Sequence, residues 1–440
     1  MTATVSPATA SPPALSAAPR AADARRVAVA SGIGTTIEWY DFFIYGTAAA
    51  TVFAPQFFPQ VSPLAGTLAA FGTFAIGFIA RPLGGVVMGH YGDRLGRKFM
   101  LVWALMLMGV ATFGIGLLPT YAQIGAWAPA LLVALRFVQG FALGGEWGGA
   151  VLMSVEHAPE GRRAVFGSVV ALGLPAGIVL SNVVFLIASV AVAPEAFAAW
   201  AWRVPFLASA ALVAVGMWVR LGIAESPVFA SLRGQHATLR MPVVDVLRDH
   251  GRTVLLAAGS YLGISVTGYV VIVYFVSYAT QVLGLPLPRV LSLLVGAALL
   301  FAASIVVSAR YADRLGRRRV LLWGLAGLTL WSLIFFPLAD TGRLSLIALS
   351  LGGMLVIQGL YIGPQPAVFA ELFPAAVRYS GVSLSLTLAT IAGGALAPAT
   401  ATALYGATGD SSLITAYMVG TALVSWLCAL GLDETSRRGL

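Results

Sequence analysis

The chain has 440 residues, of which 59% are hydrophobic and only 10% charged, with a mean hydropathy of +0.90. A soluble protein of this size needs far more charge to cover its surface, so composition excludes a soluble globular enzyme. The net charge of +9 sits in short loops between apolar runs, which reads as membrane topology and gives no nucleic-acid partner.

Residues 1–26 are rich in Ala, Ser, Pro and Thr and are expected to be a disordered cytoplasmic tail. Arg20, Arg25 and Arg26 follow this bland stretch and lead into a full-length apolar run, which is not the order of a secretory signal. Apolar runs long enough to cross a ~30 Å hydrocarbon core as helix then recur. They lie near 27–53, 65–89, 99–118, 128–156, 164–192, 204–223, 252–281, 290–309, 320–338, 345–371, 379–405 and 412–432. Period-2 alternation is absent, so a β-barrel is not expected. The reading is an all-α integral membrane protein of twelve transmembrane helices. Bundles at 27–223 and 252–432 are joined by a cytoplasmic linker at 224–251, which holds Pro227 and Pro242, and 433–440 form a second short tail.

Orientation follows from the basic residues. Of the 26, Arg203, Arg289 and Arg343 fall on one side, Arg81 and Arg136 fall inside spans, and all others fall on the opposite side. The positive-inside rule then places both termini in the cytoplasm.

The chain is also doubled. GHYGDRLGRK at 89–98 returns as ARYADRLGRR at 309–318, with a Trp at the same offset after each (Trp103, Trp323). A second pair follows in the same order: Glu156-x-x-Pro159-x-x-x-Arg163 and Glu371-x-x-Pro374-x-x-x-Arg378. Two shared motifs half a chain apart mean a repeated unit of six spans.

Five ionisable side chains fall at membrane depth in the first repeat, where each costs at least ~2.5 kcal/mol on insertion scales. Glu38 lies near the middle of span 1, with Asp41 at i+3 and Tyr45 at i+7 on the same helix face. Arg81 is on span 2, and Arg136 and Glu146 are on span 4. Three carboxylates and two guanidiniums leave one negative charge, which one bound proton cancels. Glu38, Asp41 and Glu146 are therefore expected to couple protons, and Tyr45, Arg81 and Arg136 to meet substrate. Gly140, Gly144 and Gly148 recur every four residues, and this face is expected to press span 4 against span 1. Spans 7–12 hold no comparable charge. Gln358, Tyr361 and Gln365 on span 10 are spaced i, i+3, i+7 and are expected to line the cavity.

No cofactor and no metal is expected. Cys428 stands alone, no His-Glu-x-x-His or Gly-x-Ser-x-Gly occurs, and His90, His157, His236 and His250 all fall in loops. The expected partners are a small-molecule substrate, a proton and the lipid bilayer, with the chain acting as a monomer.

GHYGDRLGRK and Arg136-Phe-Val-Gln139-Gly140 resemble the signature loop and fourth-helix pattern of the major facilitator superfamily. GTTIEWYDFFIYG at 34–46, ARPLGG at 80–85, QGFALGGEWGGA at 139–150 and ELFPAAVRYSG at 371–381 narrow the resemblance to its metabolite:proton symporters. These carry shikimate, 2-oxoglutarate, citrate, proline or betaine. FFPQVSPLAGTLAAF at 57–71 looks closest to the shikimate-type branch. The resemblance implies a twelve-helix, two-domain fold with alternating access, in a bacterial cytoplasmic membrane. It also implies a cytoplasmic gate in which Asp93 meets the start of a helix in the other domain and Arg97 and Lys98 pair with Glu156. Arg163, Asp313, Arg317, Glu371 and Arg378 supply the equivalent set. The expected function is proton-coupled uptake of a small carboxylate; a proton antiporter and a betaine or proline symporter are the alternatives.

Overall fold

The computed structural model describes residues 17–221 and 243–435 except Gly96, Gly145, His157, Glu160, Ala375 and Ala376. Of residues 17–27, 89–98, 101, 145–148, 153, 219–221 and 243–245, no side chain is described. Among the described residues every regular element is helical.

The first half runs through α1 (Ala17–Thr51), α2 (Pro63–Leu95) and α3 (Arg97–Leu117). The fourth expected span is split into α4 (Trp127–Ala142) and α5 (Glu146–Glu156), and the fifth into α6 (Arg163–Ala171) and α7 (Gly173–Val190). α8 (Val204–Leu221) closes this half. The second half opens with α9 (Val243–Tyr269), a π-helical turn at Val270–Tyr274 and α10 (Phe275–Gln281). α11 (Leu287–Leu315), α12 (Arg317–Ala339), α13 (Leu344–Ile362) and α14 (Gln365–Leu372) follow. The last are α15 (Arg378–Ala389), a π turn at Thr390–Ala395, α16 (Ala397–Thr408) and α17 (Ser412–Leu430).

Nine helical stretches among the described residues are long and apolar enough to cross a membrane, and Val102–Leu117 and Trp127–Ala142 are shorter apolar helices. α1 is not one of the nine, because Glu38 and Asp41 lower its apolar average. Two boundaries differ from expectation. α1 starts at Ala17, so residues 17–26 of the expected tail are helical, as their alanine content favours; residues 1–16 lie outside the described residues. α9 starts at Val243, inside the expected linker, whose residues 222–242 also lie outside them.

The sequence repeat reappears as repeated packing. α1 packs on α7, α2 on α4 and α3 on α8; in the second half the equivalent α9 packs on α15, α11 on α13 and α12 on α17. The halves meet where α7 packs on α11 and where α2 packs on the Thr390–Ala395 turn and α16. The α2–α4 seam is made of glycines. A Cβ on Gly140 would overlap the Gly77 carbonyl, one on Gly144 the Arg81 carbonyl, and one on Gly84 the Phe141 carbonyl. Gly140 and Gly144 therefore press span 4 against span 2, where span 1 was expected, while α5 beyond them packs on α1. Span 2 carries the matching small residues, so the two backbones can touch there.

Candidate functional site

α1 brings Glu38, Asp41 and Tyr45 inward, and all three are buried. Glu38 Oε1 lies 3.9 Å from Arg81 Nη2, an ion pair between α1 and α2. Asp41 sits at the end of a polar chain through three helices. Arg136 Nη1 donates to Gln139 Oε1 (3.1 Å), Gln139 Nε2 donates to Thr112 Oγ1 (2.6 Å), and Thr112 Oγ1 donates to Asp41 Oδ2 (2.9 Å). Asp41 Oδ1 has no hydrogen-bond partner among the described residues. Thr112 has a second acceptor for its single hydrogen, the Met108 carbonyl at 2.9 Å.

Arg136 is 1% exposed and has no carboxylate within salt-bridge distance among the described residues. Aromatic faces hold it instead. Its Cζ lies 4.1 Å from the Tyr45 ring centre, 4.6 Å from Phe42 and 5.0 Å from Phe74. The Tyr45 hydroxyl is used locally, donating to Thr73 Oγ1 at 2.7 Å. Arg81 stacks on Phe78 and Phe42 at 5.1 and 5.2 Å, and its Nε and Nη2 make no hydrogen bond with described residues. Tyr269 of α9 packs against Phe42, Phe74 and Phe78 with ring centres 5.4–5.9 Å apart, so this aromatic cluster joins the two halves.

Beside the cluster is a cavity of about 30 Å³, lined by Trp39, Phe43, Tyr261, Ser265, Tyr269 and Gln358 among others. That holds a water or two and no metabolite. Of the three expected lining residues on span 10, only Gln358 reaches it. Tyr361 turns to Ser260 Oγ (3.0 Å), and Gln365 is buried on a different helix. Gln365 lies beyond the Gly363–Pro364 turn between α13 and α14 and does not line this cavity. Glu146 is the first residue of α5, and its side chain lies outside the described residues.

A second cluster ties the halves together at one end of the bundle. Asp313 of α11 accepts the backbone N–H of Ala164 (3.1 Å) and of Val165 (3.2 Å), the first turn of α6. A carboxylate there satisfies two orphan donors and meets the positive end of the helix. Each repeat's glutamate pairs with the other repeat's arginine: Arg378 with Glu156 at 3.3 Å and Arg163 with Glu371 at 3.2 Å. Arg317 also contacts Glu371 directly and lies 3.4 Å from Asp313. The side chains of Asp93, Arg97 and Lys98 lie outside the described residues, so the expected pairing of Arg97 and Lys98 with Glu156 does too. At the opposite end Gln281 Nε2 donates to the Ala50 carbonyl at 3.4 Å, and Gly46 packs against Val273.

Sequence reasoning missed Thr112, Thr73 and Ser265, which are ordinary small polar residues in apolar helices. It quoted Gln139 inside a motif without a role.

The family profile of the Major Facilitator Superfamily matches residues 31–398. The chain is 42% identical over 421 residues to the shikimate transporter of Escherichia coli (strain K12), covering 94% of this chain and 95% of that protein. It is 43% identical over 410 residues to the inner membrane metabolite transport protein YhjE of the same organism, covering 91% and 93%. The fold is similar to the partially occluded inward-open form of the E. coli xylose transporter XylE, with a TM-score of 0.75 and 18% identity over 95% of this chain and all of that one.

Proposed function

Because this chain belongs to the major facilitator superfamily and is a multi-pass membrane transporter, we propose that it imports a small organic carboxylate together with a proton. The observation that carries this reading is the Asp41–Thr112–Gln139–Arg136 chain, a buried carboxylate and a buried guanidinium linked by neutral hydrogen-bonding groups. We propose twelve spans in two six-helix bundles at 27–223 and 252–432, both termini in the cytoplasm, and residence as a monomer in a bacterial inner membrane. Both relatives named above are transporters, one of shikimate and one of a metabolite.

Thr112 lets Asp41 exist in two protonation states. With Asp41 ionised, the Thr112 hydroxyl donates to it. With Asp41 protonated, the carboxyl donates to Thr112 and the hydroxyl turns to the Met108 carbonyl. Gln139 donates to Thr112 in both. Arg81, whose Nε makes no hydrogen bond with described residues and whose Nη2 has a long 3.9 Å ion pair with Glu38, takes the substrate carboxylate; Glu38 holds it in place, and Arg136 sets the field around Asp41. A solute anion entering with one proton leaves the site's net charge unchanged. Glu146, first in α5, is a further proton carrier on this reading.

The cross-paired cluster of Asp313, Arg163, Glu371, Glu156, Arg378 and Arg317 closes the cytoplasmic side, and Asp93, Arg97 and Lys98 act with it. Contacts at both ends and a cavity too small for solute support reading this form as a closed intermediate of alternating access.

Thr112→Val keeps the shape and removes the switchable hydroxyl; proton-driven uptake is expected to fall at least ~tenfold, while Thr112→Ser stays near wild type. A fully active Val variant would remove Thr112 from the coupling. Asp313→Asn removes the charge at the start of α6, worth about 1 kcal/mol. Labelling of a cysteine placed on the cytoplasmic side of the cavity should then rise about fivefold, and unchanged labelling would reduce the cluster to a topological role. Uptake in right-side-out and inverted vesicles under an imposed pH gradient tests the direction: inward solute flux should follow the inward proton gradient. Opposed fluxes would mean antiport.

A further inference from the structure

The arginines around the cross-paired cluster divide into two sets. Arg163, Arg317 and Arg378 are paired with Glu371 and Glu156. Arg310 and Arg314 of α11 and Arg319 of α12 are exposed and make no ion pair with any described residue. Each of these three sits where its charge is unfavourable. Arg310 and Arg314 are one helical turn apart, and like charges at that spacing repel. Asp313, beside Arg314, neutralises neither, because its oxygens are committed to Ala164, Val165 and Arg317. Arg319 is the third residue of α12, at the positive end of that helix. The amides of that first turn already have their anion: Glu434 Oε1 accepts the Arg317 N–H and its Oε2 the Arg318 N–H, both at 3.1 Å.

The surface around the three is apolar and aromatic. Leu299, Leu300, Ala303 and Val307 form an exposed stripe along α11 at three- and four-residue steps, and the stripe leads into Arg310, Tyr311 and Arg314. Tyr311 is 55% exposed. Beyond the sharp turn at Gly316, which has a φ of 98°, Trp323 of α12 is 57% exposed one helical turn past Arg319. Helical side chains lean toward the N-terminus, which brings its ring over the turn that carries Arg319. Apolar stripe, aromatic belt and cations follow one another in the order of acyl chain, interface and headgroup.

We propose that Arg310, Arg314 and Arg319 hold the phosphate headgroup of an anionic phospholipid of the phosphatidylglycerol type, its acyl chains lying along Leu300, Ala303 and Val307 and against Trp323. Guanidinium forks bind phosphate oxygens bidentately. A net-negative headgroup cancels the repulsion within the trio, whereas a zwitterionic one brings its own ammonium. A free phosphate would serve the arginines but leaves the apolar stripe and Trp323 without a part. A purely topological role needs positive charge alone and predicts no headgroup preference. Assignment to the cytoplasmic leaflet rests on the orientation proposed above; the site itself does not.

The test titrates purified full-length protein in a neutral detergent with phosphatidylglycerol or phosphatidylcholine carrying the same brominated acyl chains. Bromine quenches tryptophan on contact, and the difference between wild type and Trp323→Phe isolates Trp323. An arginine beside an anionic headgroup is worth about fivefold in affinity, so phosphatidylglycerol should quench Trp323 at a concentration at least about tenfold lower than phosphatidylcholine. Arg310→Gln, Arg314→Gln and Arg319→Gln combined should bring the two lipids within about twofold of each other. Equal quenching by the two lipids in the wild type overturns the proposal. So does a preference that survives in the triple Gln variant. Release of phosphatidylglycerol by millimolar inorganic phosphate also overturns it, and would make this a site for a free anion. Wild-type protein alone decides the first and third outcomes, so a variant that fails to fold does not shield the proposal. Detergent has no leaflets, so the result is independent of the cytoplasmic placement.

Discussion

Asp41→Asn is expected to abolish uphill accumulation of solute while leaving solute-for-solute exchange intact. Asparagine has the shape of a protonated aspartic acid and keeps both hydrogen-bonding modes with Thr112, whose Oγ1 lies 2.9 Å from Asp41 Oδ2. The variant is thereby fixed in the proton-loaded state. It can carry solute in both directions but cannot release a proton at the end of the cycle. One pH unit supplies about 1.4 kcal/mol, so wild-type protein with one proton per solute should accumulate solute about tenfold per unit. The Asn variant should only equilibrate it. The two assays belong together, because loss of both would indicate misfolding, and retained accumulation would move the proton elsewhere.

The second large effect is on stability. Gly140→Ala adds one carbon where the Gly77 carbonyl already sits, so the α2–α4 seam must open along its length. A cost of about 3 kcal/mol or more is expected, at the upper end of overpacking penalties because backbone cannot rotate away as a side chain can. Gly72→Ala is the control. It lies on the same α2, a Cβ there meets nothing within 4 Å, and it should be neutral or slightly stabilising. Thermal unfolding in detergent reads both; equal melting temperatures would mean that the seam relaxes without cost.

These two sites mark how far the sequence could be read. Charged residues inside apolar runs are conspicuous, so Glu38, Asp41, Arg81 and Arg136 were legible, and the structure brings all four into one buried region. The repeat was legible because Asp-Arg-Leu-Gly-Arg is identical in both copies, and the cross-pairing of Glu156 with Arg378 and Glu371 with Arg163 follows that symmetry. Partners across helices were not legible. The glycine stripe on span 4 announces a close approach but not with which helix, since Gly77 on span 2 has no sequence mark of its own and Gly84 is marked only within ARPLGG. Thr112 is invisible for the same reason: a threonine in an apolar helix gains its role only from the rotation that aims it at Asp41.

Proton movement with the solute is the central claim, and one measurement reads it directly. Proteoliposomes in lightly buffered medium, with no imposed gradient, receive solute outside while a pH electrode follows the medium. Inward solute flow should draw protons with it and make the medium more alkaline, and Asp41→Asn should abolish that signal. Solute entry with no change in pH, or with acidification, would contradict the account.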